Sequence, residues 1–203
     1  YLDFLSGIAV VSLGHANPVI AKAIADQANT LVHVSNFFAN TVATKAAVEI
    51  SGLMADAGAG DGQVFFCNSG AEANEAAIKL ARKFGGRGRH AIVSAYGSFH
   101  GRTLGALALT GQPAKHEVFQ PMPDGFRYCE FGDIESLKAQ IDPTVAAVML
   151  ESIQGEGGVI PADAAYLQAV QQLCKERGLL LIIDEVQTGF CRTGKWFGFE
   201  HAG

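Results

Sequence analysis

The chain has 203 residues, a length typical of one domain or a tight pair of domains. It is 49% hydrophobic and only 17% charged, against about 25% charged residues in ordinary soluble domains. A large core is therefore expected, global disorder is excluded, and part of the surface is expected to be covered by a partner subunit or by further sequence. The net charge of −5 lacks the basic field of a nucleic-acid-binding protein, so no nucleic-acid partner is expected.

Short runs of β-branched and aromatic residues alternate with longer helical patterns along the chain. Residues 1–15 are interpreted as a separate N-terminal segment, an edge strand and turn that lead into the first helix. The helical patterns, in chain order, cover Pro18–Leu31, Thr41–Ala57, Ala71–Phe84, Ile134–Ile141 and Ala164–Arg177. The strand patterns cover Val64–Cys67, Ala91–Ser94, Phe126–Glu130, Val145–Leu150 and Leu179–Ile183.

The strand Val145–Leu150 does not alternate between polar and apolar residues, so it is expected to be buried on both faces. Strands of that kind are typical of a parallel sheet between two layers of helices. The sequence therefore predicts an α/β fold. On the helix Ala71–Phe84, Glu75 and Lys79 are four residues apart, a spacing that predicts an ion pair on the outer face.

The cysteines and the apolar runs exclude several other classes of protein. The four cysteines lie far apart and none forms a C-x-x-C pair, so neither a metal site nor a disulfide framework is expected, and a reducing compartment is favoured. No run approaches the roughly 18 apolar residues of a membrane helix, so no membrane partner is expected. The chain begins at Tyr1 without a methionine and stops at Gly203, so we expect it to be part of a longer sequence.

The junction after the predicted strand Val64–Cys67 is a candidate anion site. Asn68, Ser69 and Gly70 lead directly into a helix, whose first N–H groups and positive end favour a negative charge. Gly70 would let a phosphate approach the backbone, and Ser69 would add a hydroxyl. Alternatively, Ser69 only caps the helix, which is the more common role at such a turn.

A second junction follows the strand Leu179–Ile183, where Asp184 and Glu185 stand at the end of an apolar run. Burying a carboxylate there is costly unless a positive group faces it. We expect that group to be a lysine or arginine from a neighbouring loop, or a bound cationic ring. Alternation along the strand places Asp184 and Val186 on one side and Glu185 on the other.

This second junction also resembles a nucleotide-binding site, but two features of the sequence contradict that interpretation. Residues 189–195 match a P-loop, but Trp196 stands where a Ser or Thr hydroxyl must bind magnesium. A P-loop also precedes its acidic strand, whereas here it follows at once. An NTPase is therefore not expected.

Two more loops follow predicted strands. In the loop Tyr96–Thr103, Phe99 is suited to stack on a planar ligand and Arg102 to bind a carboxylate. Alternatively, Phe99 is buried and Arg102 solvated; His100 is interpreted as a loop histidine rather than a base. The loop Glu151–Gly158 adds carboxylates at the same sheet edge, without the G-x-G-x-x-G of a dinucleotide site.

Five segments, taken in their order along the chain, together resemble one family: the class III pyridoxal 5'-phosphate (PLP) aminotransferases of fold type I. The segments that carry the resemblance are Asn68–Glu75, Ser98–Thr103, Glu151–Gly158, Asp184–Gly189 and Gly189–Phe197. The resemblance covers essentially the whole chain. It implies that residues 16–203 are part of a PLP-binding large domain, a mostly parallel sheet with helices on both faces.

The resemblance also assigns roles to particular residues. It implies that Asp184 is the catalytic acid that pairs with the ring nitrogen. The other positions that it places in the cofactor site are Ser69, Gly70 and Ala71 at the phosphate, Phe99 and Val186 at the two ring faces, and Gln187 at the ring hydroxyl. Arg102 and Glu156 are placed at the substrate; in ornithine-type relatives the acid at the position of Glu156 pairs with an arginine near the family's C-terminus.

The function implied is transfer of an ω-amino group, with N-acetylornithine the favoured donor and 2-oxoglutarate the acceptor, in arginine biosynthesis. A cytoplasmic homodimer is expected. Ornithine or another ω-amino donor is the alternative, as is a truncated relative without catalysis. The family lysine that binds the cofactor covalently lies beyond Gly203, and Lys195 belongs to a different motif. This chain alone, without that lysine and the C-terminal domain, is expected not to catalyse the reaction.

Overall fold

The computed structural model describes residues 1–203 and divides them into two compact units. The first comprises Tyr1–Ala55 and Asp61–Val64, and the second comprises Asp56–Gly60 and Phe65–Gly203. The predicted division between residues 15 and 16 stays a prediction.

The first unit contains three helices: α1 (Ser6–Ala9), α2 (Pro18–Ala28) and α3 (Thr41–Asp56). Helix α2 begins where its sequence indicates, because Oδ1 of Asn17 accepts hydrogen bonds from the second and third amides that follow, at 3.0 and 3.4 Å. The edge strand expected in residues 1–15 is wrong. Oδ1 of Asp3 instead accepts hydrogen bonds from the amides of Leu5 and Ser6, which replaces a strand ladder by a local turn.

The second unit is built on a four-stranded parallel sheet. Its strands are β1 (Ala91–Ala95), β2 (Phe126–Cys129), β3 (Val145–Glu151) and β6 (Leu180–Asp184), in the spatial order β2-β1-β3-β6. Strands β1 and β3 are buried along their whole length, as the unbroken apolar run in β3 predicts. A small antiparallel hairpin, β4 (Ile153–Gln154) and β5 (Ile160–Pro161), follows β3.

Helices cover both faces of this sheet, which confirms the predicted α/β architecture. They are α4 (Gly70–Gly85), α5 (Leu104–Leu109), α6 (Ile134–Gln140) and α7 (Ala164–Arg177). On one face, Val148 packs in a core with Val170 of α7. On the other, Met149 packs in a separate core with Ile78 of α4. Successive residues of β3 thus enter different cores, as strand geometry requires.

Two parts of the predicted element order are corrected. Residues 64–67 form no strand, and Phe65 and Phe66 are 71% and 52% exposed. The run has strand-forming residues, but a strand exists only where a neighbour supplies its ladder of hydrogen bonds, and this segment has no such neighbour. Helix α5 is absent from the predicted elements, since its six residues are too few for a helical period to show.

Two of the four thiols are buried in the core. All four cysteines are free, and burial raises the pKa of Cys129 to about 11 and that of Cys174 to about 12. These two thiols are therefore neutral and belong to the core.

No helix combines the length and the apolar character needed to cross a lipid bilayer.

Candidate functional site

The carboxyl edge of the parallel sheet brings the predicted loops together. Strands β3 and β6 end in Glu151 and Asp184, which are paired in register. The loop after β1 contributes Phe99, whose amide donates a 3.1 Å hydrogen bond to Oε2 of Glu151. Ligands of open α/β sheets bind at this edge, so this is the candidate site.

Asp184 is the centre of the site. Its side chain is 5% exposed, and Oδ2 lies 2.8 Å from Nδ1 of His100 and accepts a 2.8 Å hydrogen bond from Nδ2 of Asn74. Oδ1 accepts a 3.0 Å hydrogen bond from the amide of Val186. Burial raises the pKa of this carboxyl, but the imidazole, the amide of Val186 and Asn74 lower it further, so the net pKa lies below its ordinary value. Asp184 is therefore an ionised carboxylate, which accepts hydrogen bonds on both oxygens.

His100 is the protein group that faces Asp184, a contact that the sequence interpretation of a loop histidine does not include; the bound cationic ring expected at the same carboxylate stays a prediction. Its side chain is fully buried and contacts Asp184 directly. Its amide donates a 2.9 Å hydrogen bond to Oγ1 of Thr110, and its carbonyl accepts a 2.6 Å bond from Nδ2 of Asn74. Its position after β1 is the sequence signal for this role, because β1 and β6 end at the same edge.

The first turn of α4 forms the second part of the site. Oγ of Ser69 accepts a 3.2 Å hydrogen bond from the amide of Glu72, so Ser69 does cap the helix. The amides of Gly70 and Ala71 donate to no protein acceptor and stay available to an anion. A Cβ on Gly70 would lie 2.8 Å from Cγ2 of Val186, so this turn lies against the end of β6.

Two cations lie near the ring of Phe99. Cζ of Arg102 lies 5.6 Å and Nζ of Lys115 lies 4.9 Å from the ring centre. Arg102 is exposed and lies over this ring, so it is both solvated and placed beside the predicted stacking residue. The sequence interpretation missed Lys115, because this residue does not directly follow a predicted strand and lies in no glycine-rich loop.

The two acids of the loop Glu151–Gly158 have different surroundings. Glu151 is 5% exposed, and burial raises its pKa above the ordinary value, although the amide of Phe99 and the charge of His100 oppose that shift. The Glu156 side chain is 43% exposed, and its Oε2 lies 3.8 Å from Nζ of Lys115. Only Glu156 faces solvent at the mouth of the site.

Glu185 and Gln187 lie on either side of Val186 in the sequence and have different roles. Glu185 points away from Asp184, as alternation predicts, and its carboxylate accepts hydrogen bonds from the amides of Gly198 and Phe199 at 2.8 and 2.9 Å. Gln187 is half-buried and lies beside Gly155, where an added Cβ would be 3.3 Å from its Cγ. Glu185 therefore anchors residues 198–199, while Gln187 lines the loop that carries Glu156.

Glu75 supports the loop that carries Arg102. Its Oε1 accepts hydrogen bonds from Oγ1 of Thr103 at 2.6 Å and from the amides of Gly105 and Ala106 at 2.9 and 3.1 Å. The expected ion pair with Lys79 is therefore wrong, because the carboxylate caps α5 instead. The sequence interpretation missed this contact because it did not predict α5.

The described residues therefore bring the predicted cofactor positions into two adjoining groups. Asn74 and Val186 join the first turn of α4 to Asp184, and Glu151 joins Phe99 to the same edge. No group of three or more His, Cys, Asp or Glu side chains is arranged to hold a metal ion. The arrangement offers amides for an anion, a buried carboxylate for a cationic group, and exposed charges for a substrate.

Known proteins resemble this chain along its length. The acetylornithine aminotransferase of Gloeobacter violaceus is 50% identical over 207 residues, which cover 100% of this chain and 50% of that protein. The ornithine aminotransferase of Toxoplasma gondii, with partial occupancy of PLP at its active site, has a TM-score of 0.91 and 34% identity, covering 100% of this chain and 48% of that one. The N-acetylornithine aminotransferase of Stenotrophomonas maltophilia K279a has a TM-score of 0.80 and 39% identity, with 97% and 49% covered.

The chain spans about half the length of these relatives. The family described as Aminotransferase class-III matches residues 1–203. With the sheet, the helices on both faces and the ordered loops at the carboxyl edge, this match shows that the chain belongs to the class-III aminotransferases.

Proposed function

We propose that this chain supplies the PLP site and part of the substrate site of an aminotransferase that moves the ω-amino group of N-acetylornithine to 2-oxoglutarate, in arginine biosynthesis. The donor is inferred from the names of relatives whose sequences are about 50% identical to this chain. A cytoplasmic homodimer belongs to the same proposal, and the sparse charge and the many exposed large apolar side chains support a covered surface.

One observation carries the proposal: the buried, ionised Asp184 is linked through Asn74 to the helix whose first amides are available to an anion. PLP carries a phosphate and a basic ring nitrogen, so it needs these two groups at once. Gly70 fits such a ligand, because any side chain there would meet Val186 and fill the turn.

His100 does not replace the ring nitrogen in this proposal. It contacts Oδ2 of Asp184, which also accepts from Asn74, whereas Oδ1 accepts from the amide of Val186. Oδ1 is the acceptor proposed for a protonated ring nitrogen. His100 and Asn74 then orient the carboxylate and keep it ionised.

The other residues act on the ring, the phosphate and the substrate. Bound PLP supplies an electron sink for the substrate carbon that loses a proton. Ser69, Gly70 and Ala71 would hold the phosphate. Phe99 and Val186 would contact the two ring faces and Gln187 the ring hydroxyl, while Arg102 would bind a substrate carboxylate and Glu156 would face the substrate's distal end.

Ornithine is the second candidate donor, and the fold similarity to the ornithine aminotransferase of Toxoplasma gondii favours it. The test uses the intact protein loaded with PLP and mixed with each donor alone. Loss of the cofactor's absorbance with N-acetylornithine, faster than with ornithine, is the expected result. Faster loss of absorbance with ornithine would make ornithine the favoured donor instead of N-acetylornithine.

Trapping with borohydride provides the second arm of this experiment. The intact protein, reduced in the presence of PLP, is digested and the modified lysine is mapped. We expect a lysine outside residues 1–203 to carry the cofactor. If no lysine is modified and neither donor changes the absorbance, the protein is a non-catalytic relative and the proposal is overturned. Size-exclusion chromatography of the same sample checks the proposed homodimer.

A further inference from the structure

Lys115 ends a short 3₁₀ helix, Pro113–Lys115, at the mouth of the candidate site. We propose that Lys115 is a specificity-determining residue: its ammonium disfavours donors with a free, positively charged α-amino group and so favours donors whose α-nitrogen is acylated and neutral. This inference rests on the proposed function, since it concerns the donor of that reaction.

Lys115 and Arg102, the residue proposed to bind a substrate carboxylate, lie near the same aromatic ring. Nζ of Lys115 and Cζ of Arg102 lie 4.9 and 5.6 Å from the same ring centre. If Arg102 binds the α-carboxylate of the donor, the α-nitrogen, on the adjacent carbon, lies within a few ångströms of the carboxylate. An ammonium there approaches Lys115, and like charges repel strongly where water is partly excluded. An amide nitrogen carries no such charge.

The position of Lys115 is fixed by the fold. Its amide donates a 2.9 Å hydrogen bond to the carbonyl of Gln112, whose Nε2 donates a 2.9 Å bond to the carbonyl of Ser98. The next residue, His116, is buried, and its Nε2 lies 2.8 Å from the carbonyl of Thr110. The Lys115 side chain is 29% exposed, so it lies along the protein rather than in bulk solvent.

Glu156 adds a second effect, which is competition for its carboxylate. Its Oε2 lies 3.8 Å from Nζ of Lys115, so the acid at the mouth of the site already has a cation beside it. A donor ammonium would need that carboxylate and would compete with Lys115 for it. Removal of Lys115 both relieves the repulsion and frees Glu156 for the ammonium, and both changes favour free ornithine.

The test compares N-acetylornithine and ornithine in the intact, PLP-loaded protein. In Lys115→Met, the ratio of kcat/KM for N-acetylornithine over ornithine is expected to fall about tenfold or more, mainly through a gain with ornithine. Lys115→Arg keeps the charge and is expected to keep the ratio. Lys175→Met, on the exposed end of α7, removes a lysine elsewhere and is expected to change nothing.

Equilibrium binding of the two donors, followed by calorimetry, uses the intact protein whose PLP has been reduced by borohydride; reduced cofactor cannot react with the donor, so this readout is independent of turnover. The same shift in relative affinity is expected there, and unchanged thermal unfolding of Lys115→Met shows that the fold is intact. An unchanged donor ratio in Lys115→Met, with both donors used by the wild type, overturns this inference alone. A wild type that uses neither donor overturns the proposed function and this inference with it.

Discussion

Nδ2 of Asn74 donates hydrogen bonds to the carbonyl of His100 and to Oδ2 of Asp184, at 2.6 and 2.8 Å. The two acceptors are 26 and 110 positions away in the sequence. One amide in the second turn of α4 therefore joins the loop after β1 to the end of β6. Since Asn74 is 6% exposed, the loss of these bonds would leave polar groups buried without partners.

The charge of Asp184 is predicted to be essential. Asp184→Asn in the intact protein should lower kcat/KM about a thousandfold, because a neutral amide cannot hold a proton on the ring nitrogen. Glu185→Gln is the matched control: the adjacent acid faces away, so its loss should reduce stability more than rate. Steady-state kinetics check both variants, and near-normal turnover by Asp184→Asn would contradict its role.

Glu151 is predicted to make stability depend on pH. Burial raises its pKa above the ordinary 4.5, so between 4.5 and the raised value the folded state holds a proton that the unfolded state has released. Stability from this group is present below that window and is lost as pH rises through it. Glu151→Gln should therefore gain stability relative to the wild type as pH rises above 4.5 through the raised pKa. Urea unfolding of the intact protein at several pH values measures the difference; a constant difference would refute the prediction.

The carboxylate of Glu75 is predicted to stabilise α5 and the loop with Arg102. Glu75→Ala removes the acceptor of three hydrogen bonds and should cost about 1–3 kcal/mol of unfolding free energy. Glu75→Gln keeps Oε1 and should cost less. Lys79→Ala is the control, with a change within about 0.5 kcal/mol, because no ion pair joins these two residues. Denaturant unfolding measures these free energies. If Lys79→Ala lowers the unfolding free energy as much as Glu75→Ala does, the prediction is contradicted and an ion pair between the two residues is indicated.

Gly111 is predicted to tolerate no side chain. A Cβ there would lie 2.0 Å from the carbonyl oxygen of Ala95, and its amide donates a 3.0 Å hydrogen bond to Oγ of Ser98. Gly111→Ala should therefore cost about 3 kcal/mol or more, since the loop before Phe99 must move. Gly52→Ala is the control inside α3, where a Cβ would meet nothing within 4 Å. It should gain about 0.5–1 kcal/mol, and thermal unfolding compares the two variants.

The sequence by itself determined the fold class and most of the helices and strands. The unbroken apolar run in β3 predicted a doubly covered parallel sheet, and the structure has it. Helix α7 begins and ends as predicted, because Asp163 caps its first turn and Gly178 adopts φ 60° after its last. These signals are local: burial on both faces and helix capping each depend on a few consecutive residues.

Only the tertiary structure decided which side chains meet. His100 and Asp184 are 84 positions apart, Glu75 reaches the start of α5, and Lys115 reaches Phe99 and Glu156. Residues 64–67 likewise have the composition of a strand without forming one. Local periodicity carries no information on such partners, because they are set by how strand ends and loops align once the sheet has assembled.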